Sequence, residues 1–477
     1  TWAAVSTTPA DGSITTAKIA SGSKLVTTDG QYNTVVGTNA GNSFDGTNAL
    51  SNTLIGYNSG TAITTADYNT SLGYEALPAT TTGGSNVAVG AAALLVNTTG
   101  TQNTAIGVNV LDANTTASYN TGVGHSALGA NTTGVNNVAV GVSTLDANTT
   151  GDYNVGLGSS ALGANTTASH NTAVGYATLF ANTTGNYNSA VGNTSLDANT
   201  EGDHNCAFGQ TALGANTTAD NNSAFGSNAM ADNTTGTNNC AFGATALISN
   251  TTADNNVAVG RQALQANTTG GSNTAVGYFA LGVNTTGNNN IAVGPYCLDA
   301  NTTGSNNVAI GSSALSTSTT ASDNTAIGNG AMEANTSGSH NVAVGRGALD
   351  VNTTGSQNVA VGHSSLDANT TGSRNTALGY GALTASTTSQ AVTAIGNLAL
   401  GANTTGSDNT AVGDVALYVN TTGIRNVAVG SGVLDAATTA SYNVGMGYAA
   451  LTSVTTGWPN IGIGASAGVS LTTGAQN

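Results

Sequence analysis

The sequence restarts itself. From Asn52 a unit of seventeen residues recurs 25 times without a slip in register, at Asn69, Asn86, Asn103 and onward to Asn460. Only the unit at Val392 opens on a residue other than Asn, and a nineteen-residue unit beginning at Asn33 precedes the array. The consensus reads N-[TVS]-A-[VI]-G-x-x-A-L-x-A-N-T-T-G-x-x. A unit this short cannot bury a hydrophobic face alone. It must stack on its neighbours, so the repeat decides the fold.

The third position is Ala or Gly in 23 units, the exceptions being Leu54 and Ser71. The fourth is apolar and the fifth is Gly in all 25 units. N-T-A-V-G has the β-branched content and period-two alternation of a short strand ended by Gly. A-L-x-A is too brief for a helix before the next turn, and a coil of two short strands and two turns is expected. N-T-T-G-x-x is turn chemistry, because Asn and Thr bond locally and Gly accepts positive φ. These features predict an all-β chain, a parallel β-solenoid or β-roll of about 26 coils with 17 residues in each. At roughly 4.8 Å per coil the expected rod is about 120 Å long. Residues 1–32 are expected to be a connector or attachment segment, and residues 33–477 the shaft.

Strand alternation offers two faces. The larger side chains, at position four, are expected to fill the coil with the Leu at position nine. The expected core is therefore Val174, Val191, Phe208, Phe225, Phe242 and Leu213, each worth about 1.5–3 kcal/mol when buried. The three Phe, in consecutive coils, are expected to stack inside it. Positions three and five form a face kept small, which suits close approach of a facing sheet or a partner chain. Three copies are expected to associate through it as an elongated homotrimer. Asn171, Asn188, Asn205, Asn222 and Asn239 open successive units and are expected to form an asparagine ladder.

The "NTAVG", "NVAVG" and "NTAIG" segments resemble the S-V-A-I-G-x-x-S motif of trimeric autotransporter adhesin heads. That resemblance implies a trimeric parallel β-roll. The spacing of seventeen exceeds the family's usual fourteen or so, and its coiled-coil stalk and membrane anchor are missing here. "DGSITTAKIASGSKL" (residues 11–25) resembles connector segments of bacteriophage tail fibres, and the long N-T-A-[IV]-G…N-T-T-G array is similar to tail-fibre arrays. The resemblance implies a structural fibre of a virion, not an enzyme. Its partners would be its own copies, other virion or appendage proteins through residues 1–32, and a host-surface glycan or protein. A cell-surface adhesin or extracellular filament is the alternative.

Composition narrows the remaining functions. The net charge is −16 with six Lys and Arg, which argues against phosphate neutralisation on nucleic acid and against anionic membranes. No apolar run reaches 18 residues, so no membrane insertion is expected. Apolar residues at fixed positions separate this biased composition from disorder. The opening at Thr1 and the close at Asn477, the first residue of a further unit, read as a processed or partial chain. Cys206 and Cys240 share one repeat position two units apart, about 10 Å if coils stack, which is beyond disulfide reach. With Cys297 they read as free thiols.

Little in the sequence carries chemistry, and no cofactor or metal is expected. His125, His170, His204, His340 and His363 share turn positions six and seventeen with several Tyr. They read as exposed turn residues or as a scattered glycan-stacking surface. Asp112, Asp146, Asp197, Asp299, Asp350, Asp367 and Asp435 recur at position ten as an acidic edge, without the G-G-x-G-x-D motif of calcium-binding rolls. No phosphate loop of the form G-x-x-x-x-G-K-[ST] occurs. Seventeen units carry N-T-T or N-T-S, beginning with Asn97, Asn114, Asn131 and Asn148. Each is a formal N-glycosylation sequon; the other reading is a ladder of stacked amides. Paired Thr bring ice-binding solenoids to mind, but those present T-x-T on a flat strand.

Overall fold

One strand per coil organises the chain. A computed structural model describes residues 24–27, 31–44, 48–474 and 476–477. Most of the expected connector, residues 1–23 and 28–30, lies outside the described residues. The described chain is all-β and forms a β-solenoid of stacked seventeen-residue coils. Strand β1 (Lys24–Thr27) pairs antiparallel with β2 (Thr34–Gly37), which pairs in parallel with β3 (Thr53–Ile55). From β3 onward each coil contributes one three-residue strand at positions two to four, paired in parallel with its neighbour within residues 52–222 and again within residues 223–477. The register is set by the repeat: Thr172 lies beside Ser189, Ala173 beside Ala190, Val174 beside Val191. The chain divides into two compact units, Thr1–Asn222 and Ser223–Asn477, each built of these coils.

The second half of each coil is a chain of turns, not a second strand. Turns need left-handed backbone, and the sequence supplies it at fixed places. In the coil from Asn171, Gly175 has φ 135°, Ala177 49°, Leu179 51° and Tyr187 58°. Gly175 is doubly required, since a methyl there would also sit 2.3 Å from the Gly192 carbonyl oxygen of the next coil. The left-handed backbone helps keep Val and Ile out of position nine. Position nine is Leu in 21 coils, Met in two and Gly in two, and never Val or Ile. A β-branched side chain at positive φ is a steric outlier. Val415 and Thr194, at φ 48° and 47° in position seven, are among the few that accept it.

The strand faces the opposite way from the expected one. Ala173 is buried, whereas Val174 and Val191 are only part-buried, and Phe208 and Phe242 are 37% and 41% exposed. Phe225 likewise sits on the outer face, stacked on Phe242 at 4.6 Å, so the Phe stack lies outside the coil. Of the six expected core residues only Leu213 is buried inside. The reason is width. A seventeen-residue coil must hold the position-nine Leu and two asparagines, which ordinarily leaves room for a methyl at position three; Leu54 fits there because its coil has Gly60 at position nine. Small residues at positions three and five thus serve the coil's own interior and the close stacking of its backbone.

Inside, position eight of one coil meets position three of the next, and at three joints their sizes compensate. The usual pair is Ala with Ala, such as Ala246 and Ala258, both buried. Where position eight is Val110, position three is Gly122, and a methyl on that Gly would lie 2.5 Å from Val110 Cγ1. Thr144 faces Gly156 at 2.6 Å and Val433 faces Gly445 at 2.5 Å in the same sense. Ser59 faces Ser71, and their hydroxyls hydrogen-bond at 2.7 Å.

Candidate functional site

The polar residues of the repeat serve the backbone first. The position-one Asn is fully inside: the Asn188 amide N–H donates to Asn171 Oδ1 at 2.9 Å, and that of Asn205 to Asn188 Oδ1 at 2.8 Å. The same pattern joins Asn222 to Asn205 at 3.0 Å and Asn256 to Asn239 at 2.9 Å. Asn171 Nδ2 crosses the coil to donate to the Gly185 carbonyl at 2.9 Å.

A second asparagine column runs through the N-T-T turn. Asn97, Asn114, Asn131 and Asn148 are all fully buried. Asn114 Nδ2 donates to Asn97 Oδ1 at 2.9 Å and to the Ala117 carbonyl at 3.1 Å; Asn148 Nδ2 donates to Asn131 Oδ1 at 2.8 Å. These amides are committed inside the coil, so a folded coil has no room for a glycan on them. The sequon reading is corrected. The column also accounts for its own defects. Ser318, Ser386 and Ala437 replace Asn at this position. The Oδ1 atoms of Asn301, Asn369 and Asn420, each one coil earlier, are the ones left buried without a donor.

Position thirteen is Thr in all 25 coils. Its hydroxyl donates to the carbonyl of the same residue one coil on, as Thr183 Oγ1 does to Thr200 at 3.0 Å. Position sixteen supplies an acceptor for the backbone of the coil before it: the Val135 N–H donates to Asp152 Oδ1 at 2.7 Å, and the Ser305 N–H to Ser322 Oγ at 3.0 Å. The invariance of Thr and the restriction of position sixteen mostly to Asp, Asn, Ser and Thr were readable signals. Their function in joining coils was not foreseen.

The surface carries what is left. Position-seventeen rings stack through four successive coils, Tyr153, His170, Tyr187 and His204, with centroids 5.0, 4.8 and 5.0 Å apart and planes within 6°. Their faces are turned on each other, so a sugar cannot lie flat between them. Position-ten carboxylates are part-buried. Burial pushes Asp112, Asp146, Asp197, Asp299 and Asp435 upward. Asp350 is raised by burial, then by Glu333 and Asp367 beside it. Asp112 and Asp146 lean towards one another over Gly129, where a methyl would lie 3.5 and 2.7 Å from their Oδ1 atoms. Among the described residues no group of three or more His, Cys, Asp or Glu could hold a metal ion.

All three cysteines are free; Cys206 and Cys240 sit on the outer strand face and Cys297 is buried. That outer face is the largest unexplained feature. Position two beside position four presents Val, Ile, Phe, Thr and Cys in coil after coil, with Ile106, Leu157, Ile310 and Leu378 38–44% exposed. No helix among the described residues is long and apolar enough to cross a membrane. Comparison with known protein families gives no match, and comparison with curated protein sequences gives none either.

Proposed function

We propose that the chain is the shaft of a structural fibre, of the kind that forms a bacteriophage tail fibre or a similar virion appendage, and that its copies associate side by side as a homotrimer. The supporting observation is the outer strand face. A solvated strand face is ordinarily polar, whereas this one is apolar at position four in all 25 coils. Only a partner with the same coil spacing could match such a face coil by coil, and another copy has that spacing. Position three of the small face first expected to make this contact is inside the coil, and the position-five Gly packs on the backbone of the next coil. The contact therefore belongs to positions two and four. Every coil needs only its neighbours, so length is gained without a new core. The role is mechanical: to hold a binding tip away from a particle, with residues 1–32 as the attachment. The sequons that favoured a glycosylated cell-surface filament no longer favour it, because their asparagines are buried.

Light scattering of the purified chain tests this reading. Three chain masses are expected, and Phe225→Glu is expected to shift the protein to monomer while leaving its β-type circular dichroism unchanged. A wild-type monomer with its outer face in water would overturn the association and the fibre built on it.

A further inference from the structure

The repeat is interrupted at one place on its surface by residues that belong together. Positions six and seven of three successive coils carry Arg261, then Tyr278 and Phe279, then Pro295 and Tyr296. The rings do not form a parallel stack. Tyr278 and Tyr296 meet edge to face, with centroids 5.3 Å apart and planes at 83°, and Phe279 is tilted against both. Tyr278 and Tyr296 are 40% and 44% exposed. In the Tyr153–His204 column each ring hides its neighbour's face; here the tilted rings leave Tyr278 and Tyr296 only partly covered.

The geometry of Phe279 is supported from below. Its ring lies over Gly282, where a methyl would come within 2.7 Å of ring carbons. The Arg261 guanidinium sits 5.9 Å from the Tyr278 ring centroid. In a chain with 22 Asp and Glu against six Lys and Arg, a carboxylate partner would be easy to find. Arg425 has one, Asp408, at 3.5 Å. Arg261 makes no ion pair among the described residues.

A guanidinium without a carboxylate partner, set over one of a group of half-exposed aromatic rings, has a definite ligand chemistry. The planar fork binds a carboxylate with two parallel hydrogen bonds. The negative face of an aromatic ring attracts the positively polarised C–H groups on one side of a pyranose. We propose that Arg261, Tyr278, Phe279 and Tyr296 form a binding site for an acidic saccharide, with Arg261 holding a uronate carboxylate and the tyrosine faces carrying the sugar rings. The site lies on turn positions, apart from the outer strand face, and does not depend on the fibre reading.

Calorimetric titration of the full chain with tetragalacturonate tests the site, with maltotetraose as the neutral comparison. Saturable binding of the uronate and at least tenfold weaker binding of the neutral sugar are expected. Arg261→Gln and Tyr278→Ala are each expected to weaken uronate binding at least tenfold without shifting the melting temperature. Gly282→Ala, which displaces the Phe279 ring and removes no contacting group, is expected to weaken it severalfold. Arg425→Gln, at the arginine already paired with Asp408, is expected to leave it unchanged. No uronate binding, equal affinity for both sugars, or binding unaffected by Arg261→Gln would each overturn the proposal.

Discussion

The interior of a coil and the outer face of its strand have exchanged their usual contents. Inside are two asparagines per coil, alanine methyls and a single Leu, with a threonine hydroxyl part-buried at the turn; outside on the strand are Val, Ile and Phe. The difference teaches what a thin coil must satisfy first. With one short strand in seventeen residues, most of the backbone has no sheet partner of the ordinary kind. Coil-to-coil backbone bonds, such as Leu179 N–H to the Ser195 carbonyl at 3.0 Å, meet many of its N–H groups; the rest, such as the Asn188 N–H, are met by side chains, because an unmet one costs about 1–3 kcal/mol. Asparagine carries a donor and an acceptor on one short stem, so a column of them repeats at the coil spacing. Beyond the position-nine Leu, the strand's β-branched and aromatic bulk is left to the outside.

The comparison breaks most sharply where a column is cut. Asn182→Leu removes the donor to Asn165 Oδ1 and to the Gly185 carbonyl. A loss of about 2–4 kcal/mol is expected in chemical denaturation. Next comes Gly122→Ala, which sets a methyl against Val110. About 1–3 kcal/mol should be lost through overpacking, and Val110→Ala in the same chain should restore most of it. A double-mutant cycle reads that coupling, and independent, additive losses would show that the two positions do not compensate.

Repair should work as well as damage. Ala437→Asn supplies the donor that Asn420 Oδ1 lacks and is expected to stabilise by about 1 kcal/mol. On the outer face Val174→Thr is expected to move monomer stability by less than about 0.5 kcal/mol, since that side chain is outside the core. A large loss in the monomer would restore position four to the interior.

The smallest effect expected is electrostatic. Burial, then Glu333 and Asp367, hold Asp350 above its ordinary value of 3.8. A carboxylate raised on folding favours the fold when protonated. Its contribution is complete below pH 3.8 and is lost as pH rises through the folded value. Asp350→Asn should therefore raise the melting temperature slightly at neutral pH and flatten its rise on mild acidification.

Period, strand position and left-handed turns were legible because each is a local property. Gly at position five and Asn or Thr around the turn announce backbone conformation directly. The direction of the strand was not legible from hydrophobicity, which ranks Val above Ala and so points it inward. It was legible from size: Gly122, Gly156 and Gly445 each follow a larger residue twelve positions earlier, in Val110, Thr144 and Val433. Such covariation within one chain marks a shared volume. The invariant Thr at position thirteen is a similar signal. The Arg261–Tyr296 patch was hidden for the opposite reason: it departs from the repeat, and its meaning depends on ring angles that no spacing encodes.

The compensating pairs also bear on how such a gene changes length. Recombination between near-identical repeats adds or removes whole units, and at most joints the new neighbours are Ala beside Ala. Copying residues 103–119 alone would instead place Val110 against a second copy of Ala105, and deleting 120–136 would place it against Ala139. Either product carries a clash at the new seam. The Val110–Gly122, Thr144–Gly156 and Val433–Gly445 joints are therefore inherited as linked blocks, and viable length variants should arise in the uniform stretches between them.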